Sequence, residues 1–458
     1  MMIQGERTFC YSGDIQNEFF GLQSIDDSDT VEKECLNIYP EIEYQQFKGF
    51  GCAITEAVGS VLNTLDASIS QNILEDCFSS SGLNYTWIRC PIDSCDFSLA
   101  PYTSCIQQQK NVALDEREFA SHDGQYIIPW IKRASQLSKR TLSLYLVPWS
   151  PPAWMKTNSK RDEGGALLAE HKPAWASYMA SYVKRYEEQG LVVSIVGVQN
   201  EPNAAQKWDS CLYTAEEEHD FILEYLYPAL LQANLDTLPL ITVWDHNKER
   251  LFERVREVCQ EDVSAIIGAA SFHWYSGDHF DQVALVSKEY PQLLLIFSEG
   301  CIEYSEFSSD AQIAHAQHYA HQIIGDLNHG THIWLDWNMV LAENGGPNHA
   351  GNFCDAPILC NLSTKSYQKR LTYYYIRHFS RYIVPGSIRI AHSLFTADIE
   401  ATAWKRPDGS IVTVIHNPKS ERKNVYLRSL GQLCSCTLEG ESITTLTFVT
   451  PRSPASQF

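Results

Sequence analysis

Two glutamates stand directly after apolar, strand-like runs: Glu201 in VGVQNEPN and Glu299 in LLLIFSEG. An acid at such a place points towards solvent or a pocket, not the core. A single one is most simply a solvated loop residue, since acids are among the side chains least often buried. Two of them, one preceded by the amide of Asn200, fit a more specific chemistry. Cleavage of a glycosidic bond needs one carboxyl group to protonate the leaving oxygen and a second to attack, or direct water to, the anomeric carbon. Burial and the neighbouring carboxylate are expected to raise the pKa of the proton donor, while hydrogen bonds keep the other acid ionised. Such a pair needs no metal. The 15 histidines and 14 cysteines form no zinc motif and no C-x-x-C pair, so neither a metal nor a cofactor is expected.

The acids need a scaffold. Short apolar runs rich in β-branched or aromatic residues recur as FKGFGCAI (47–54), YTWIRC (85–90), LSLYLVP (142–148), VSIVGVQ (193–199), LITVW (240–244), AASFHW (269–274), LLLIFS (293–298) and THIWLDW (331–337). Helically patterned stretches separate them, as parallel β/α units require. Eight such runs predict an α/β fold, a (β/α)8 TIM barrel, whose active face is the C-terminal end of the strands. Polar residues collect at those ends: Asp96, Trp149, Asn200 and Glu201, Asp245, His273 and Tyr275, Glu299, then Trp337 and Asn338. Among the helices, 174–190 and 214–233 are the clearest, the second with Thr214 as N-cap and acids in its first turn. Residues 376–458 alternate instead, with a P-D-G turn inside EATAWKRPDGSIVTVIHNP, and residues from about 30 to 46 alternate weakly. The barrel is therefore expected over 47–375, with 1–46 and 376–458 forming an antiparallel, β-sandwich-like side domain from both termini.

Composition narrows the partners. A net charge of -21 disfavours nucleic acid and anionic membranes. No run of about 18 apolar residues predicts a membrane span, and the N-terminus lacks the basic and apolar segments of a signal peptide, so a cytoplasmic protein is expected. The expected partner is a neutral small-molecule or oligosaccharide β-glycoside, for which 11 Trp and 23 Tyr supply flat amphipathic surfaces. Oligomeric state is left open. The scattered cysteines read as reduced, mostly buried thiols.

The stretches GFGCAITEA (49–57), VPWSPPAWMKTN (147–158), VQNEPNAAQKWDSCLYTAEEE (198–218), WDHN (244–247), HWYSGDHF (273–280), FSEGCIE (297–303) and WNMVLAENGGPNHAGNFCDAPI (337–358) resemble glycoside hydrolase family 30, which includes the glucosylceramidases. The resemblance covers nearly the whole chain. It implies a retaining mechanism on a barrel with a β-rich side domain, Glu201 as acid/base and Glu299 as nucleophile. It further implies that Asn200 holds a sugar 2-hydroxyl, that Tyr275 orients the nucleophile, and that Asp96 and Trp149 hold the far hydroxyls. Trp337 would be an aromatic wall, Asn352 a further polar group of the pocket, and His273 an orienting residue counted with the binding set or, equally, a satisfied core histidine. Cys52 and Cys301 depart from the familiar motifs and read as packing thiols. Glu56 stands between a buried hydrogen-bond acceptor and a pocket wall. Within such a family the expected activity is exo-acting on terminal β-glucosyl residues, ahead of endo-β-1,6-glucanase, β-xylosidase or β-fucosidase action. A non-catalytic sugar-binding protein is the contrasting class.

Overall fold

The computed structural model describes residues 2–26, 33–108, 111–261 and 263–449; residues 1, 27–32 and 450–458 of the expected side domain lie outside these. Eight parallel strands close a barrel: β1 (Gly49–Ala53), β2 (Trp87–Ile92), β3 (Ser143–Pro148), β4 (Val192–Gly197), β5 (Leu240–Asn247), β6 (Ile267–His273), β7 (Leu294–Glu299) and β8 (Ile333–Asn338). They follow one another around the barrel in chain order, and β8 returns to β1. Each coincides with one of the eight apolar runs. Inward side chains such as Tyr145, Val147, Ile195, Ala269, Ile296, Ile333 and Leu335 fill the barrel as one buried cluster. The GFG of β1 has a steric reason: a Cβ on Gly51 would stand 2.2 Å from the Trp87 carbonyl oxygen, so only glycine lets β1 and β2 approach this closely.

The helix expected over 214–233 begins as foreseen. The Thr214 hydroxyl accepts a hydrogen bond from the Glu217 amide and the Glu217 carboxylate accepts one from the Thr214 amide, a complete capping box. The helix then widens into a π turn at Ile222–Leu226 before resuming at Tyr227–Gln232. Pro228, which has no amide hydrogen to give, sits just beyond the wide turn.

A ten-stranded sheet forms the second part, built from both ends of the chain. Strand Met2–Tyr11 pairs antiparallel with Ser442–Val449, and Cys35–Gln46 lies between Ile388–Leu394 and Lys423–Ser429. Bulges in the pairing of Cys35–Gln46 with Ile388–Leu394 allow the sheet to bend over a core that includes Ile3, Leu36, Ile411, Leu427 and Phe448. P-D-G is the turn between Glu400–Lys405 and Ser410–Asn417, with Gly409 at φ 82°. By contact, residues 50–309 and 333–368 make one compact unit, and 1–49, 310–332 and 369–458 the other. Segment 310–332, which falls inside the barrel's span in sequence, is grouped with the sandwich because helix Gln312–Asn328 packs on Leu371–Ser380 and on strand Glu400–Lys405. All fourteen cysteines are free thiols, and every one except Cys10 is buried. Among the described residues no helix is long and apolar enough to cross a membrane.

Candidate active site

The C-terminal ends of the strands surround a cavity of about 210 Å³, and all of its lining belongs to the barrel unit. Glu201 and Glu299 line it together with Asp96, Trp149, Asn200, Tyr275, Trp337 and Asn352. Eight of the nine residues singled out in sequence thus share one pocket. The ninth, His273, does not line it. Its ring is fully buried behind the glutamates, with Nδ1 3.4 Å from Glu201 Oε1 and Nε2 3.3 Å from Asp245 Oδ1. Its place in the binding set is therefore corrected: it touches the acids and lies outside the lining of the pocket.

At the centre is a residue the sequence reading missed, Arg89 of β2, which has no exposed side-chain surface. Its Nη1 donates to Glu299 Oε2 at 2.6 Å, and its Nη2 donates to Asn200 Oδ1 and Asp245 Oδ2, both at 2.7 Å. The guanidinium also lies over the rings of Trp149 and Trp337, 4.8 and 5.3 Å from their centroids. One buried cation thereby orients the expected nucleophile, the amide beside the expected acid, and the floor of the pocket. Tyr275 donates its hydroxyl to the other oxygen of Glu299 at 3.0 Å. Because Asn200 Oδ1 is taken by Arg89, its amide nitrogen is the group left for a ligand.

Backbone geometry is unusual at the same place. Glu201, Trp244 and Asp245 have φ of 49°, 73° and 51°, in the left-handed region that costs non-glycine residues about 1–3 kcal/mol each. The strain is held by specific bonds. The Glu201 amide donates to the Asp245 carbonyl at 3.0 Å, and the Trp244 amide to Glu218 Oε1 at 3.0 Å. A register shift between Trp244 and His246 marks a bulge in β5. It turns Asp245 towards Arg89 and His273, and His246 towards the cavity.

Electrostatics departs from the expectation for the proton donor. Burial pushes Glu201 up, but the hydrogen bond from His273 and the charges of His246 and His273 outweigh it, so its pKa is lowered. Burial likewise opposes the charge on His273, yet Glu299, Asp245 and Glu201 around it raise its pKa to about 9. A protonated imidazole thus bridges Glu201 and Asp245. Asp245, despite burial, is held well below the usual carboxylate range by Arg89 and His273. Asp96 goes the other way, to about 8, because burial and the charge of Glu299 exceed the bonds from Asn348 and Asn352. It enters the pocket as a neutral carboxyl group, able both to donate to and to accept from a sugar hydroxyl.

Trp149 and Trp337 stack with centroids 5.5 Å apart and form an aromatic wall. Glu56 takes the structural alternative: it accepts from the Leu99 amide at 2.8 Å and pairs with His122 at 2.7 Å, away from the pocket lining. Cys52 is buried in β1, whereas Cys301 lines the cavity beside the Tyr275 hydroxyl at 3.3 Å. Gln206, Trp208, His246, Asn247 and Glu303 complete the lining and were not singled out in sequence. Glu201, His273 and Glu299 each offer an atom within 4.8 Å of the others, a spacing that could hold a cation. The donor chemistry does not suit one: His273 is protonated, and Arg89 already occupies Glu299 Oε2.

A barrel that gathers two opposed carboxylates, aromatic walls and neutral hydrogen-bonding groups at its strand ends defines the molecule as a glycoside hydrolase. The chain matches the glycosyl hydrolase family 30 TIM-barrel domain over residues 47–383 and the family 30 beta sandwich domain over residues 386–446. It belongs to glycosyl hydrolase family 30. It is 32% identical over 403 residues to the lysosomal acid glucosylceramidase of Mus musculus, covering 84% of this chain and 78% of that one. It is 25% identical over 425 residues to an endo-1,6-beta-D-glucanase of Trichoderma harzianum, covering 88% and 84%. Among solved structures it is similar to SrfJ from Salmonella typhimurium, with a TM-score of 0.91, 32% identity, and coverage of 98% of this chain and 100% of that one.

Proposed function

We propose that the enzyme is a retaining exo-β-glycosidase acting on terminal β-glucosyl residues, with Glu201 as acid/base and Glu299 as nucleophile. The observation that carries the retaining part of this reading is the closeness of the two acids, each of which places a carboxylate oxygen within 4.8 Å of one from the other. Double displacement needs about 5–5.5 Å between the carboxyl groups, whereas inversion needs roughly 6.5–9.5 Å to admit a water. The neutral carboxyl of Asp96, the amides of Asn348 and Asn352 behind it, and the Trp149–Trp337 wall support a site closed around one sugar ring.

In the first step Glu299, oriented by Arg89 and Tyr275, attacks the anomeric carbon while Glu201, in the protonated form that this step requires and that the charge of His273 disfavours, gives its proton to the leaving oxygen. In the second, Glu201 takes a proton from water, which attacks the same carbon and releases Glu299. Similarity to the mouse glucosylceramidase supports the glucosyl preference. Similarity to the Trichoderma glucanase supports a second reading, endo-cleavage of β-1,6-glucan. Assays on nitrophenyl β-glucoside, β-xyloside and β-fucoside beside β-1,6-glucan separate the two: glucose release from the aryl glucoside is expected, and cleavage confined to internal bonds of the polymer would overturn the exo reading. Turnover should survive chelation, and a loss restored by one divalent ion would break the metal-free mechanism.

A further inference from the structure

The charge that Glu201 meets is placed by backbone. Asp245, which bonds Arg89, His273 and Ser298, is the extra residue of the β5 bulge: Trp244 pairs with Ser271 and His246 with Phe272, and the register skips the residue between them. Trp244 and Asp245 stand at positive φ, a conformation that neither side chain favours, so the bulge needs support from outside the ladder. Glu218, buried on helix Ala215–Phe221, supplies it. Its Oε1 accepts the Trp244 amide at 3.0 Å and its Oε2 accepts Arg254 Nε at 2.7 Å. Arg254, buried on helix Leu251–Val258, lies over the Trp244 ring at 5.4 Å and donates from Nη2 to the Tyr213 carbonyl at 2.8 Å. The Tyr213 amide donates in turn to the carbonyl of Pro202, the residue after Glu201, at 2.9 Å. Glu201 is therefore held from two directions: its own amide rests on the Asp245 carbonyl, and the next residue is tied through Tyr213. Both leads end at one buried ion pair, Glu218–Arg254, which does not line the cavity.

We infer that Glu218 and Arg254 are positioning residues of the reaction: by locking the β5 bulge and the segment after Glu201, they keep the Asp245 carboxylate on His273 and the Glu201 carboxyl group in the cavity wall. This rests on the assignment of Glu201 as acid/base made above. An ion pair that served the fold alone could be exchanged for apolar side chains of similar volume at little cost, because desolvation offsets most of the attraction within such a pair. Here one carboxylate oxygen is instead committed to the amide of a residue at positive φ, a bond that an apolar side chain cannot make. The consequence reaches the acid through charge. Glu201 is faced by His273, His246 and Gln206, Asp245 by Arg89, His273 and Ser298, and Glu299 by Arg89 and Tyr275, so His273 alone joins Asp245 to Glu201. If the bulge slackens, Asp245 leaves the imidazole, the proton of His273 is held less firmly, and the ionised form of Glu201 loses its cation.

The test uses two charge-free double variants of the intact enzyme on nitrophenyl β-glucoside. Glu218→Leu with Arg254→Met removes both charges and the acceptor; Glu218→Gln with Arg254→Met removes the charges and leaves an oxygen for the Trp244 amide. Turnover is expressed per competent site, counted by the burst of dinitrophenolate from a dinitrophenyl deoxyfluoroglucoside, which a retaining enzyme traps on its nucleophile. The Leu/Met enzyme is expected to lose about 10- to 100-fold in kcat with KM within about twofold, and the basic limb of its kcat/KM profile should move up by about half a pH unit or more. The Gln/Met enzyme should regain about tenfold of the loss. A Leu/Met enzyme with wild-type turnover per site and an unmoved limb makes the ion pair structural and overturns the inference, as does a Gln/Met enzyme that regains nothing. Should the Leu/Met enzyme fail to fold, Arg254→Lys carries the test: it keeps a charge beside Glu218 but cannot also reach the Tyr213 carbonyl, so kcat should fall about three- to tenfold with the same upward limb, and an unchanged kcat and limb overturn the inference. A wild type that gives neither burst nor turnover breaks the retaining glucosyl reading itself, and the positioning role falls with it.

Discussion

The barrel buries two clusters of carboxylates, and they are built on different principles. In the catalytic cluster, Glu201, Asp245 and Glu299 are held by cations, the guanidinium of Arg89 and the imidazolium of His273. In the second cluster Asp123 is held by phenols, and Asp93 by one phenol together with the Thr103 hydroxyl, the Ser104 amide and the nearby charge of Arg161. Asp123 accepts from Tyr182 and Tyr186, both at 2.6 Å, and from Tyr102 at 3.1 Å, while Asp93 accepts from Tyr178 at 2.6 Å. Both aspartates are fully buried and neither lines the catalytic cavity. Their pKa values move in the opposite direction from those of Glu201 and Asp245. Burial raises Asp93, and raises Asp123 to about 6, whereas Asp245 and Glu201 are lowered. Burial alone therefore does not make a carboxylate reactive. Fixed cations keep the charge in place, and an open side towards a cavity lets it be used.

The largest expected effect tests the open side. Glu299→Gln keeps the shape and an oxygen for Arg89 but removes the nucleophile, so kcat/KM should fall on the order of 10⁴-fold or more for every leaving group. A variant that kept even a hundredth of wild-type activity on aryl and alkyl glucosides alike would place the nucleophile elsewhere.

Glu201→Ala should cost about 10²- to 10⁴-fold on substrates whose leaving group needs a proton, and less in the glycosylation step for an activated aryl group. Deglycosylation then becomes limiting, since no base activates the water. Azide should restore turnover and yield the β-glycosyl azide. Azide rescue of the Glu299 variant to an α-configured product would instead reverse the two roles.

His273→Asn removes the cation that separates the two clusters in kind. Loss of a positive charge disfavours the ionised form of Glu201, so its pKa should rise and the acid should stay protonated to higher pH. The basic limb of the kcat/KM profile is then expected to move up by about one pH unit or more. A limb that stays in place or moves down would mean that His273 does not set the charge on Glu201.

Sequence reasoning reached the eight strands because their apolar runs are bounded by polar residues, and reached both glutamates because each closes such a run. Arg89 escaped it: inside YTWIRC it looks like an irregularity in a buried strand, although a charge in an apolar run was itself the available signal. His246 and Asn247 escaped for another reason. Their direction depends on the bulge and two left-handed residues in β5, and a one-residue change of register is invisible to a period-two reading. The phenol cluster was half visible, since Tyr178, Tyr182 and Tyr186 recur every fourth residue along helix Lys172–Glu188, but the acids they meet lie far away in sequence.

The smallest expected effect concerns stability rather than rate, and it asks whether the phenol cluster is purely structural. Asp123 has a folded-state pKa of about 6 against an ordinary 3.8. Below about pH 4 its carboxyl group is protonated in both folded and unfolded chains, and the group imposes no penalty. Between about pH 4 and 6 the unfolded chain ionises first, the folded state binds more protons, and stability falls as pH rises. Above about pH 6 both forms are ionised and the penalty is constant, at most about 3 kcal/mol for a difference of this size. Asp123→Asn removes the titration, so wild type should lose stability relative to the variant across that window, as read by denaturant unfolding at pH 4 and pH 7 on both proteins. The kcat/KM profile of the variant should overlay that of wild type, because Asp123 has no bond to Arg89, His273 or either glutamate. A stability difference that does not vary between pH 4 and 7 would show that the phenols already hold Asp123 as an ordinary carboxylate. A shifted rate profile would show that the two clusters are electrostatically joined, and the distinction between a structural and a catalytic set of buried acids would fail.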